Sequence, residues 1–182
     1  MTSPTSTVTI HMVASLDGYV VDNDGKVDWL NTSDTYEAGV AHDDPMDAAA
    51  AIGCWVIGSK TYEDALRLGW PYGDKPTYVL TGRDLASDRT NVKFRSGDLA
   101  RLVSDELKPQ FTSIWLCGGA ALVKEFLRLG LVDAISMTIA PIIIGGGLPF
   151  FDAVGVLRPL HLRDVKAYTS GVVELSYDVR RD

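Results

Sequence analysis

The stretch Ile114 to Phe126, IWLCGGAALVKEF, reads as an apolar strand, a tight turn on two adjacent glycines, and a helix start with apolar residues at helical spacing. Glycines without Cβ let a ligand approach bare backbone and permit dihedrals that other residues resist. The first amides of a helix beginning near Ala120 lack intrahelical partners and sit at the positive end of the helix dipole, so an anion such as phosphate is favoured there. A purely structural use of Gly118 and Gly119, as a sharp strand-to-helix turn, is the alternative reading.

Working outward, the 182 residues suffice for one domain with a sizeable core, and 46% hydrophobic with 23% charged residues is ordinary globular composition. The formal net charge of −7 works against nucleic acid without excluding a phosphorylated small ligand, which needs only local amides and a few cations. Cys54 and Cys117 each sit in an apolar run and read as buried core residues, which points to a reducing, cytoplasmic location. Two separated cysteines and three scattered histidines, His11, His42 and His161, show no zinc-ligand spacing, so no metal is expected. The N-terminal MTSPTST lacks signal-peptide character, and no apolar run approaches the roughly 20 residues that span a bilayer. A soluble protein with no membrane partner is expected.

Residues 1–6 read as a flexible polar tail and 7–182 as a single domain. Thr7 to Ala14, TVTIHMVA, is a buried strand, and His11 within it reads as a satisfied core residue with no chemistry. Ser15 to Leu30 is rich in Asp, Asn and Gly and reads as a long, functional loop. Helix signals follow from Ser33, with Asp34 near the start and a second cap at Asp44 before Pro45. CWVI, Cys54 to Ile57, is a strand feeding Gly58, Ser59, Lys60 and Thr61, where a helix through Leu66 begins. Gly53 and Gly58 mimic the glycine spacing of a nucleotide-hydrolysing P-loop, but the lysine is one place late and the residues between are strand.

Thr77 to Leu80 is a further strand ending at Thr81, Gly82 and Arg83, and Asn91 to Phe94 a short one. Asp98 to Leu107 has helical spacing and Pro109 stops it. Val132 to Ile144 is a long apolar stretch broken at Pro141, and His161 to Tyr168 with Val172 to Val179 form a hairpin across Ser170 and Gly171. Alternating strands and helices with a closing hairpin give a three-layer α/β domain with a mostly parallel sheet and an antiparallel C-terminal strand. Ligands bind beyond the carboxyl ends of such strands, which places Ala14, Gly58, Thr81 and Gly118 along one edge.

Five segments in order, ASLDGYV (Ala14 to Val20), VIGSKTYE (Val56 to Glu63), VLTGR (Val79 to Arg83), LCGGAAL (Leu116 to Leu122) and PIIIGGGLPFF (Pro141 to Phe151), resemble the dihydrofolate-reductase-like superfamily. The resemblance spans nearly the whole chain and is closest to the branch with the reductase domain of the bifunctional riboflavin-biosynthesis deaminase-reductase and its stand-alone relatives. It implies NADPH-dependent reduction, with the pyrophosphate on Gly118, Gly119 and Ala120 and on the helix start Gly58 to Thr61. It further implies Lys60 and Arg83 near the adenosine 2′-phosphate and the backbone of Val13 and Ala14 at the nicotinamide amide. Asp17 and Gly18 would begin the loop that closes over the ring. The substrate implied is a pyrimidine or pterin-like heterocycle.

Departures are specific. In the riboflavin-pathway reductases the second strand runs into a GTV turn and a D-x-P-x-L-T-x-R stretch holding the ribosyl phosphate, whereas SKTYEDALRL stands here, and the deaminase zinc motif is absent. Dihydrofolate reductases place an acid on the helix after a Trp-containing loop, and Asp34 after Trp29 has that spacing. Asp34 is thus a candidate catalytic acid, since hydride transfer to C=N needs a proton on nitrogen, and a helix cap otherwise. Dihydrofolate reductase activity and a non-catalytic nucleotide-binding protein are the alternatives to a riboflavin-type reductase. No nucleophile elbow or Cys–His pairing suggests a hydrolase. The apolar Val132 to Ile144 and Pro149 to Phe151 further suggest a homodimer.

Overall fold

The computed structural model describes residues 5–30, 51–151 and 153–180. The β-branched TVTIHMVAS forms β1 (Thr7–Ser15), and short β2 (Tyr19–Val21) follows. CWVIG is β3 (Cys54–Gly58), which runs directly into helix α1 (Ser59–Leu68), closed by Gly69 in the left-handed conformation. Strands β4 (Thr77–Leu80) and β5 (Val92–Arg95) come next.

The Asp98 carboxylate then accepts from the amides of Ala100 and Arg101 and caps α2 (Leu99–Arg101). The path continues through a wider π turn (Leu102–Leu107) into α3 (Lys108–Gln110). Pro109 therefore does not stop the helix at its own position. The π turn sits just ahead of it, where a proline ring needs room from the preceding turn's carbonyl. Strand β6 (Ser113–Leu116), helix α4 (Ala120–Arg128) and strand β7 (Ala134–Ala140) follow. Two-residue β8 (Leu148–Pro149) precedes the hairpin β9 (Leu160–Ala167) and β10 (Val173–Val179), which turns at Gly171.

The main sheet has eight strands in the order β5-β4-β3-β6-β1-β7-β10-β9. All pairings are parallel except those of β10, which runs antiparallel to both β7 and β9. Period-two alternation splits its side chains into two cores. Val8, Ile10, Cys54, Val56, Tyr78, Ile114 and Leu116 pack with Val103, Leu107, Val123 and Phe126 on one face. Ile57 and Val79 pack with Tyr62 and Ala65 of α1 on the other. Helices on both faces make the three layers expected.

Two readings need correction. The segment after β1 is not loop throughout, because Tyr19–Val21 pairs antiparallel with β8 in a second, two-stranded sheet. A Cβ at Gly147 would overlap the Val21 carbonyl, and its φ of +137° suits glycine alone, so this glycine is fixed by the pairing. The long apolar stretch from Val132, offered as surface for a dimer, is mostly β7, an interior strand between β1 and β10. The helix expected from Ser33, including Asp34 and Asp44, lies outside the described residues.

Candidate functional site

Because β1, β3, β4, β5 and β6 are parallel, their carboxyl ends share one edge of the sheet, and two helices start there. α1 is capped by Gly58 and α4 by Gly119, and neither N-cap has a side chain to bond the first free amides. The two starts touch: the Gly58 amide donates to the Gly118 carbonyl at 3.0 Å. A Cβ built on Gly58 would stand 3.7 Å from the Gly119 nitrogen, and Cβ atoms on Gly118 and Gly119 would stand 3.6 and 3.7 Å from the Thr61 hydroxyl. Gly118 has φ of +95° and is joined to Gly119 by a cis peptide bond. Gly58, Thr61, Gly118 and Gly119 are thus gathered at one point, with Ser59, Lys60 and Ala120 opening the two helices.

Two sets of uncapped helix amides, bare of side chains, can hold an anion with two phosphate-like groups. The residues fit such a group on geometry and on the chemistry of their donors.

Farther along the edge, a cleft of about 540 Å³ is walled by Thr81 and Gly82 after β4, Arg95, Ser96 and Gly97 at the end of β5, and Leu122 and Glu125 of α4. Thr81 was expected here. The β5 end and the α4 face were not, although a parallel neighbour of β4 must deliver its carboxyl end to this edge. The cleft's cations are engaged by carboxylates. Arg95 holds Glu106 through Nε and Nη2, and nearby Arg83 meets Glu63 with Nη1 at 3.1 Å from Oε2 and Nη2 at 2.5 Å from Oε1. Arg83 keeps the Glu63 carboxyl below its usual range. The Lys60 ammonium is largely exposed, 3.8 Å from Asp64.

At the other end of the site, the segment from Ser15 to Gly18 is clamped. The Asp17 carboxylate accepts from the Ser15 hydroxyl at 2.6 Å and from the amides of Gly145 and Ile144 at 2.8 and 3.2 Å. These bonds, the hydroxyl first, hold its pKa below the ordinary carboxylate range. The Phe150 amide donates to the Gly18 carbonyl at 2.7 Å. Val13 and Ala14 therefore precede a fixed turn rather than a free loop. Trp29 has a buried indole nitrogen with no partner among the described residues. The candidate acid Asp34 lies outside those residues.

The free thiol of buried Cys54, at the start of β3, is pushed up to about 12 by desolvation, and that of Cys117, just after β6, is raised for the same reason. Neither is a ready nucleophile. No group of three or more His, Cys, Asp or Glu able to hold a metal occurs among the described residues, and no described helix is long and apolar enough to cross a membrane.

Residues 6–173 match the RibD C-terminal domain family. The chain is 31% identical over 166 residues to the Bacillus subtilis (strain 168) protein YwjB, itself uncharacterized, covering 90% of this chain and 92% of that one. Among solved structures, a Shewanella sp. PV-4 protein named for riboflavin biosynthesis superposes with a TM-score of 0.81 at 23% identity, covering 96% of this chain and 99% of that one. A deaminase/5-amino-6-(5-phosphoribosylamino)uracil reductase from Thermotoga maritima gives 0.68 at 15% identity over 97% of this chain and 57% of its own. A pyrimidine reductase-like protein from Corynebacterium diphtheriae gives 0.66 at 16% identity over 97% and 93%. The fold is therefore α/β and dihydrofolate-reductase-like, and the chain belongs to the RibD C-terminal domain family.

Proposed function

We propose that the chain, as one domain over residues 7–182, is an NADPH-dependent reductase of a pyrimidine or pterin-like heterocycle. The observation that carries this reading is the meeting of two side-chain-free helix N-termini, at Gly58 and Gly119, on the carboxyl edge of a sheet of the reductase family. The amides from Gly58 to Thr61 and from Gly118 to Ala120 bind the pyrophosphate. Thr81, Gly82 and the cleft beyond them receive the adenosine, with Arg83 and Lys60 toward the 2′-phosphate. Val13, Ala14 and Gly18 present backbone to the nicotinamide.

Bound NADPH supplies the hydride. The chain's own part is to orient the ring beside β1, to exclude water with the clamped Ser15–Gly18 turn, and to deliver a proton to substrate nitrogen from Asp34 or a water it holds. Free Cys54 and Cys117 support a reducing cytoplasmic location. A homodimer would rest on exposed Leu157, Leu160, Leu162 and Val165 around edge strand β9 rather than on β7, and sedimentation equilibrium reads it directly.

Oxidation of NADPH is followed with the ribosylamino-pyrimidinedione of the riboflavin pathway and with dihydrofolate. Turnover of the first supports the riboflavin-type reductase, and turnover of the second alone supports the dihydrofolate reductase reading. Tight NADPH binding with no oxidation by any such heterocycle identifies a nucleotide-binding protein instead.

A further inference from the structure

Three of the five buried polar or charged residues among the described ones, Ser136, Thr138 and Glu174, belong to neighbouring strands β7 and β10. Register and packing put them on one face. Ile135 of β7 and Ile10 of β1 belong to the core on the α4 side, so Ser136 and Thr138, like His11 and Val13, point to the opposite side. There His11 pairs with Ser136, and Val13 with Thr138, which in turn pairs with Glu174.

The side chains confirm this placement. His11 Nδ1 and Ser136 Oγ lie 3.2 Å apart, and the imidazole rests on the Trp115 ring at 4.5 Å. The Tyr168 hydroxyl donates to Glu174 Oε2 at 2.9 Å. The Thr138 hydroxyl, on a residue only 4% exposed, has no hydrogen-bond partner among the described residues. Buried polar groups are satisfied nearly everywhere, so an orphaned hydroxyl between a buried carboxylate and the ring-facing strand marks a place for a polar ligand. None of these groups is among those assigned to the cofactor above, yet all share a sheet face with Val13, and Thr138 and Glu174 share its register line, beside which the proposed site places the reducible ring.

We propose that Glu174, Thr138 and His11 form the wall of the substrate pocket that recognises a cyclic amide edge, an N–H beside a C=O, on the heterocycle. This rests on the reductase reading above. Glu174 keeps one carboxylate oxygen bonded to Tyr168 and accepts the ring N–H, while the Thr138 hydroxyl donates to the neighbouring carbonyl. His11, fixed by Ser136 and Trp115, presents a neutral imidazole that adds no competing charge. Pyrimidinediones and oxopterins carry such an edge, and ring systems without an N–H do not.

The test titrates the NADPH-saturated protein with diaminouracil and with its ring N-dimethylated analogue, reading tryptophan fluorescence, to which Trp115 is well placed. Wild type should bind diaminouracil at least about tenfold more tightly than the dimethyl analogue, because a site built to pair an N–H rejects a ligand lacking it. Glu174→Gln and Thr138→Val should each weaken diaminouracil about tenfold and shrink that preference, with NADPH affinity unchanged. Thr138→Val, nearly isosteric, carries the test should Glu174→Gln fail to fold. Equal binding of both ligands by wild type, no binding of diaminouracil by protein that does bind NADPH, or variants that keep the full preference would overturn the inference while leaving the reductase reading standing. Wild type that does not bind NADPH overturns both.

Discussion

The backbone amide of Gly58 donates to the carbonyl of Gly118 at 3.0 Å, so the starts of α1 and α4 are tied by main chain alone. Neither helix start has an N-cap side chain bonded to the amides that follow. Gly119→Ala tests their use. The new Cβ would make only ordinary contact, 3.7 Å from the Thr61 hydroxyl, and φ at Gly119 is −76°, so the fold should keep its circular dichroism spectrum. NADPH affinity should fall at least about tenfold, because the methyl occupies the space of the pyrophosphate. Normal affinity in the folded variant would make the turn merely structural.

Arg83 is held by Glu63, so a 2′-phosphate at the proposed site would have to compete with a carboxylate for the guanidinium. Arg83→Ala should weaken NADPH about tenfold or more and NADH little, since a charged hydrogen bond is lost only with the former. Glu63→Gln should move the preference the other way, toward NADPH, by freeing the arginine. Calorimetric titration of both cofactors on the two variants reads this. Equal affinity of wild type for NADPH and NADH would contradict it.

His11 is held neutral. Burial lowers its pKa to about 4 against the 6.5 of a free imidazole, with Glu174 opposing the shift. The unfolded chain therefore takes up a proton as pH falls below about 6.5 while the folded one does not until near 4, so stability present at neutral pH is lost across that window. The loss should be on the order of 3 kcal/mol, from a shift of between two and three pKa units. Melting temperatures from pH 7 to 4 should fall more steeply for wild type than for His11→Phe, and parallel curves would refute this.

Asp34→Asn separates an acid from a cap. Asparagine caps a helix about as well as aspartate, so a structural role predicts full activity. A proton donor predicts turnover reduced by at least about a hundredfold with an altered pH profile, while NADPH affinity holds.

Much of this was legible in the sequence because parallel strands, covered on both faces, read as short apolar runs with their ends marked by glycine or polar residues. The glycine turns at Gly58 and Gly118 stand at such ends and were found for that reason. Other features left no local trace. β2 and β8 pair across more than a hundred residues through two or three residues each, too short for any periodicity. Arg95, Ser96 and Gly97 form a cleft wall only once β5 is placed beside β4. Thr138 and Glu174 look like ordinary alternation within their strands, and His11 like a lone core histidine, until the register aligns them. The apolar stretch from Val132 gives no support to a dimer, because such a run is equally the mark of an interior strand, which β7 is.

The most direct measurement is a crystal structure of the NADPH complex. The proposed cofactor site requires the pyrophosphate oxygens within hydrogen-bonding distance of main-chain amides opening both α1 and α4, with the nicotinamide against the backbone of Val13 and Ala14. A cofactor bound with its pyrophosphate away from Gly58 and Gly119, or with its nicotinamide turned out from β1, would contradict it.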